Sequence, residues 1–386
     1  MRILLPAQDR MLLSCPVRLP LGDRRLEQRC WRLLPEDGSP AVLGEVVERH
    51  GGPTLLWVVH WLPPGRARPY RLEAFPEVEY TRHGGVELRV VGTTAVEVSV
   101  AGAPLATYHY GPDVVRPYFY PLIGPYRHSL TRHFPMRTDV PGETHDHPHH
   151  RSLWVAHGDV NGADNWSEEP GHGRIVLRGR PRLTSGPAAG VMEAEHDWVS
   201  AEGQKLCEET RRVTFYASGW GVRLADFELR FRASEGDLRF GDTKEGGLLS
   251  VRVAETMKGT AGGHIANGIG GRGEAECWGK RAPWCDYSGL VESDVVGLAI
   301  FDLRTNFHYP TYWHVREYGL MTANPFGLSH FLGDRTRDGS HLVPARSELT
   351  FRYRLYCHAG DARAARVDEQ YLNYAFPPEP RWVEEP

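Results

Sequence analysis

Short segments in which apolar and polar residues alternate, punctuated by glycine and proline, recur along the 386-residue chain. They cover residues 86–91, 95–100, 174–178, 191–199, 209–216, 222–231, 248–253, 295–303 and 349–357, and each predicts a β-strand. In 222–231, Val222 and Leu224 share one face while Phe227, Leu229 and Phe231 share the other, so the alternation carries one slip. Helical periodicity is confined to the C-terminal end. There Asp361 can cap a helix bearing Ala364, Val367, Tyr371 and Tyr374 before Pro377 and Pro378 stop it. Many short strands with one short helix predict an all-β fold of large stacked antiparallel sheets. The Pro/Arg-rich stretch WLPPGRARPY (61–70) marks a boundary, giving an N-terminal β module over 1–73 and a main domain over 74–386.

Composition narrows the functions open to such a fold. The chain holds 45 Lys+Arg against 49 Asp+Glu, a net charge of −4, so it has no basic field for a phosphate backbone and no nucleic-acid partner is expected. No apolar run reaches the length of a membrane span, so no membrane partner is expected. The N-terminus MRILLPAQDRMLL lacks a sustained apolar core and a small-residue cleavage site, which makes the cytoplasm the expected compartment. Six cysteines without a C-x-x-C pair read as reduced core thiols, with Cys277 and Cys285 able to meet across a hairpin. No Walker loop, G-x-G-x-x-G, G-x-S-x-G or H-E-x-x-H motif is present, so no cofactor is expected.

The densest chemistry lies in HDHPHHRSLWVAHGDVNGADNW (145–166). His145, His147, His149, His150 and His157 fall within 13 residues, where uniform scatter of the chain's 19 His would put fewer than one. Imidazoles that titrate near neutral pH beside Asp146, Asp159 and Asp164 suit proton transfer and hydroxyl binding. Three readings follow. His149, His150 and His157 act as acid-base groups while His147, Arg151 and Asp159 hold substrate. Alternatively His145, His147 and His149 share a face of an extended segment and bind a metal ion, a geometry that Pro148 weakens. The third reading is a polar loop satisfying its own backbone.

Four further stretches combine aromatic rings with planar donors and acceptors, as a polyhydroxylated ligand requires. RPYFYPLIGP (116–125) offers Arg116 and Tyr120, against a reading of its tyrosines as a proline-clamped core turn. DTKEGG (242–247) sets Lys244, one of only four lysines, and Glu245 beside a glycine pair that permits close backbone approach. WCDYSG (284–289) contributes Trp284. NFHYPTYWHVREYGLMTANPFG (306–327) contributes Asn306, Trp313, Arg316 and Asn324. In a strand from Trp313 to Tyr318, Trp313 and Val315 take one face and His314, Arg316 and Tyr318 the other, so both sets cannot meet one ligand.

These motifs, in this order over roughly residues 100–380, resemble the bacterial family labelled "methane oxygenase PmoA". That family is similar to the galactose mutarotase-like group. The resemblance implies a β-supersandwich with a concave sugar-binding face and a role in carbohydrate catabolism; the hydropathy gives a membrane-bound methane oxidase no support. In mutarotases a His protonates the ring oxygen and a Glu takes the proton of the anomeric hydroxyl, so the resemblance implies His149, His150 or His157 as acid and Glu245 as base. Glu245 lies mid-chain, whereas mutarotases keep that Glu nearer the C-terminus. Within the PmoA-labelled family the visible departures are Ser152, where Gly is expected after HHR, and Asn165, where an aromatic is common. The expected partner is a small-molecule carbohydrate, and the expected chemistry a His/Glu acid-base step on a sugar or keto sugar: epimerisation, mutarotation, lyase or hydrolase. A carbohydrate-binding or sensing protein, and a metalloenzyme using His147, His149 and His150, are the alternatives. A binding module has no need of so many groups titrating near pH 6.5, which favours an enzyme.

Overall fold

The computed structural model describes residues 1–49, 51–76, 84–219 and 221–384. The architecture is all-β, built on three large antiparallel sheets with a short C-terminal helix, Val367–Ala375. An eight-stranded sheet, here the site sheet, has the order Tyr312–Val315, Leu320–Asn324, Gly246–Arg252, Leu153–His157, Tyr118–Leu122, Ala103–His109, Ala95–Val100, Val86–Val91. A second, the middle sheet, has the order Arg174–Thr184, Ala189–Val199, Lys205–Tyr216, Val222–Arg232, Glu348–Ala359, Asp294–Asp302, Trp284–Val291, His264–Asn267. The strands between Arg2 and Ala74 form a seven-stranded N-terminal sheet, whose edge is completed by Arg381–Val383 from the other end of the chain.

The site and middle sheets enclose the principal core. Phe119, Leu153, Val155, Leu249, Val251, Met321 and Trp313 meet Met192, Val213, Phe227, Leu229, Ile300 and Leu355 there. Burial of each such side chain contributes about 1.5–3 kcal/mol. The far face of the middle sheet is covered by Leu56 and Val58 of the N-terminal sheet and by Val367, Tyr371 and Ala375 of the helix. A third core lies on the opposite face of the N-terminal sheet, around Trp57, Val59, Leu33 and Tyr70. Thr54 to Val59 are accordingly buried without alternation.

This layering explains the slip in the 222–231 pattern. Val222–Arg232 pairs with Glu348–Ala359 without interruption. Its odd positions, Ala225 to Phe231, face the sandwich core, while Val222 and Leu224 pack beneath the N-terminal sheet. Two buried faces mimic a shifted alternation. The helix begins later than its periodicity implies: Asp361 accepts hydrogen bonds from the Arg363 and Ala364 amides and caps only a turn. Arg366, at φ 52°, breaks the chain before the helix proper.

The N-terminal sheet is latched to the body through Glu45, whose carboxylate is 1% exposed. Its Oε1 accepts hydrogen bonds from the Ala188 and Ala189 amides at 3.2 and 2.9 Å, and Oε2 pairs with Arg29 at 2.8 Å. Gly186 has no spare room, since a Cβ there would lie 2.2 Å from Glu45 Oε2. We predict that Glu45→Ala, which strands two amides and a cation, lowers unfolding free energy by about 2 kcal/mol or more in chemical denaturation. Glu45→Gln, which retains an acceptor, should recover part of the loss; equal losses in both variants would contradict the latch.

Candidate functional site

Alternation assigns the outer face of the site sheet to a different set of side chains from those in the core. Register then lines them up: Tyr118 opposes Trp154, Trp154 opposes Ser250, Ser250 opposes Thr322 and Thr322 opposes His314. This row across five strands is the floor of the site. Trp166 joins it by packing on Trp154, ring centroids 5.6 Å apart. The glycine pair after Glu245 is required by the floor itself, because a Cβ on Gly247 would sit 1.4 Å from Thr322 Oγ1.

The histidine segment lies over this floor, held by buried arginines. Arg132 and Arg252, each with a fully buried side chain, converge on Asp146 Oδ1, Arg252 at 2.7 Å. Arg132 also donates to the Thr144, Asp146 and His147 carbonyls. The segment turns sharply at His147, φ 44°, ahead of Pro148. His145, His147 and His149 therefore do not share an extended face, and His145 stacks on Phe134 instead. Among the described residues no group of three or more His, Cys, Asp or Glu is placed to hold a metal ion. Beyond the turn, Arg116 donates to the Ser167 carbonyl at 2.7 Å and contacts Glu168 at 3.3 Å. Arg151 grips the same Glu168 through two bonds of 2.9 and 2.7 Å.

The result is an aromatic stack crossed by imidazoles. His150 stacks between Trp154 at 5.3 Å and His147 at 4.8 Å, and His147 stacks on Tyr318 at 4.9 Å. His149 stands edge-on to His150 at 4.4 Å and to Trp166 at 6.0 Å. Arg252 Nη1 lies 3.3 Å from His150 Nδ1, which must accept, leaving the proton on Nε2. On the other side, the 242–245 turn is fixed from below. Asn324 Nδ2 donates to the Thr243 carbonyl at 2.9 Å, His314 Nδ1 donates to the Lys244 carbonyl at 2.7 Å, and the Gly158 amide donates to the Glu245 carbonyl at 2.8 Å. Lys244 and Glu245 form an ion pair at the turn's tip.

Electrostatics set the protonation states. Burial, reinforced by the Arg116 and His147 charges, takes His149 down to about 4, so it is neutral at pH 7. Burial likewise lowers His314 to about 4 and His150 well below its ordinary value. Burial pushes Glu245 upward, but the Lys244 ammonium outweighs it and the carboxyl ends below its usual value. Glu245 also couples electrostatically to both His149 and His314. Burial lifts the Tyr318 hydroxyl to about 12, which keeps it a donor.

Of the residues singled out in the sequence, Arg116, His147, His149, His150, Arg151, Lys244 and Glu245 come together here. Tyr120 flanks the floor with its hydroxyl 2.7 Å from His133 Nδ1. Arg316 flanks it too, ion-paired to Glu274 at 3.0 Å. Asn324 is fully buried and positions the Lys244 turn from beneath. Others lie elsewhere. His157 is buried against Phe240 and Phe326 with Nε2 donating to the Gly241 carbonyl. Asp159 accepts from the Gly162 amide and pairs with Arg239. Trp313 is core, its indole donating to the Ala282 carbonyl. Trp284 lies on the far face of the middle sheet and donates to Asp368, and Asn306 spends its amide on Asp302 and Arg352. Cys277 and Cys285 are buried free thiols.

The site also contains Arg132, Trp154, Trp166, Glu168 and Arg252, which the sequence did not single out, and Asp146, His314 and Tyr318, which it noted without giving them a role. Trp154 and Trp166 were within the histidine segment, and His314 and Tyr318 lay on the polar face assigned to the strand after Trp313. Arg132 and Arg252 had no signal against an arginine-rich background.

Residues 95–372 match the model of a family described as a family of unknown function, DUF6807, a span that contains every residue of the site. No curated protein matches the chain.

The buried neutral imidazoles make stability depend on pH. His157 and His314 sit near 4 and His196 near 3, below the unfolded value of about 6.5. The unfolded chain therefore binds more protons between these limits, and the stability these groups contribute is full above about pH 6.5 and lost as pH falls towards 4. We predict a melting temperature that declines steadily from pH 7 to 4.5; a flat profile over that window would contradict the assigned states.

Proposed function

The chain belongs to that family, and we propose that it is a carbohydrate-active enzyme whose site sheet presents a sugar or keto sugar to His149, Glu245 and Lys244. The observation that carries this reading is a desolvated, neutral His149 above an aromatic floor, within electrostatic reach of the Lys244–Glu245 ion pair. The His149 ring nitrogens make no hydrogen bond to the described residues, while neighbouring polar groups are engaged in holding the loops. Trp154 and Trp166 are buried beneath the imidazoles, and half-buried Tyr318, stacked on His147, is the ring at the margin of the kind that packs on a sugar, with Arg316 and Lys244 beside it as donors. The likeness of the motifs to the PmoA-labelled and galactose mutarotase-like proteins supports the same assignment.

The protonation states favour one direction of chemistry. A neutral His149 accepts a proton, from carbon next to a carbonyl or from a hydroxyl. Lys244 and the Tyr318 hydroxyl are the donors available to stabilise charge developing on the substrate oxygen. This reverses the mutarotase division of labour, in which His is the acid and Glu the base. Here Glu245 holds Lys244 in place and raises the basicity of His149. A keto or acidic sugar suits such a site better than a plain aldose, because Lys244 can meet a carbonyl or a carboxylate.

Against a panel of aldoses, keto sugars and sugar acids, with NMR detection of product, we expect conversion of at least one. On that substrate His149→Ala should cut kcat by about 10²–10⁴-fold and Glu245→Gln by about tenfold or more. Because protonation of His149 removes the base, kcat/KM should hold constant down to about pH 5 and fall through the His149 pKa of about 4. Turnover within about threefold of wild type in both variants would refute the assignment. A sugar bound tightly and left unchanged would make the protein a binding module.

A further inference from the structure

On the far face of the middle sheet, with the sandwich core between it and the histidine cluster, lies a second cleft of about 300 Å³. Small-molecule pockets begin at about this volume. Four parts of the chain wall it: Arg18 of the N-terminal sheet, residues of three adjacent middle-sheet strands, the loop of Leu303, Arg304 and Thr305, and the end of the C-terminal helix with Tyr374, Ala375 and Pro377. The walls are tied together before any ligand arrives. Asn373 Nδ2 donates to the Met11 carbonyl at 2.9 Å, and Arg10 Nε donates to Asn373 Oδ1 at 2.8 Å.

The charge arithmetic of the cleft leaves cations over. Cross-strand register sets Arg212 against Glu228 and Glu228 against Arg352, then Thr214 against Asp226 and Asp226 against Arg354. Asp226 is consumed by Arg354, which grips it at 2.6 and 2.9 Å from a nearly buried position, and by the Tyr216 hydroxyl at 2.6 Å. Glu228 is consumed by Arg352 at 2.7 Å, and Arg212 turns to Glu193 at 3.1 Å. Arg18 donates to the Tyr216 hydroxyl, lies 3.5 Å from the occupied Asp226, and keeps a buried Nε without a hydrogen-bond partner. Arg304 is stacked over Phe376 at 4.8 Å, and no carboxylate among the described residues pairs with it. Two guanidiniums thus line one preformed cleft with donors to spare, beside the Thr214 and Thr305 hydroxyls.

We propose that this cleft binds a small anion bearing a carboxylate or a phosphate, with Arg304 and Arg18 as its principal ligands. The guanidinium fork matches both groups through paired N–H donors. The site is separate from the sugar site and stands whether or not that reading holds.

The test is calorimetric titration of the full chain with inorganic phosphate and, in a second arm, with glucuronate. Saturable one-site binding with a Kd below about 10 mM is expected for at least one, and the tighter arm tells phosphate from carboxylate. Arg304→Gln, which disturbs only an exposed stack, should weaken that binding about tenfold with the melting temperature unchanged, and Arg18→Gln should act in the same direction. Arg66→Gln, at an exposed arginine in a loop of the N-terminal sheet, should leave it alone. Failure of both anions to saturate, or a Kd in Arg304→Gln within about twofold of wild type, would overturn the proposal.

Discussion

Two arginines without exposed surface share a single carboxylate, and the site is built outward from that contact. Arg132 and Arg252 both reach Asp146, so the histidine loop is tied to the site sheet at one end of its turn. Burial alone would raise the Asp146 carboxyl; the Arg252 and Arg132 charges bring it instead to about 2, so the clamp stays charged at any pH near neutrality. Loss of the carboxylate would leave two desolvated cations facing each other, a situation that costs several kcal/mol in protein interiors. The left-handed backbone at His147 is sustained by this clamp and by the carbonyl bonds of Arg132.

From that anchor the geometry follows through strand register. A row of partners from Tyr118 to His314 crosses five strands, and each member is on the outer face because its neighbours in sequence fill the core. The row supplies flat aromatic surface at one end and fixes the Lys244 turn at the other. Desolvation by this packed layer, with the positive charge of Arg116, is what keeps His149 neutral. Fold, loop anchoring and protonation state are consequences of one another here.

Much of this was legible in the chain. The nine alternating segments all became strands, and the density of histidine between 145 and 157 marked the loop that lies over the sheet. Lys244 was conspicuous through the rarity of lysine, and the glycine pair beside it is needed for close approach to Thr322. Sequence alone could not separate His149 from His157, which have similar neighbours along the chain. Only the bend at His147 and the end of the 153–157 strand send one to the outer face and the other into the core between Phe240 and Phe326. Trp284 and Trp313 illustrate the same limit, since an aromatic on a two-sided buried strand carries no mark of which layer it joins. Arg252 is about a hundred residues from the histidines in sequence and reaches them through strand pairing, while Arg132, only 14 residues before Asp146, reaches it through the fold of the intervening loop.

The protonation state of His149 is the most direct test of this account. Nitrogen-15 NMR of the histidine-labelled protein, with the His149 resonances assigned by loss in His149→Asn, would follow the ring from pH 7.5 to 4. A neutral imidazole that begins to protonate only as pH approaches about 4 is the predicted result. Titration near the ordinary value of about 6.5 would mean that the ring is solvated and unconstrained, and would contradict a base held in place by the arginine clamp and the aromatic floor.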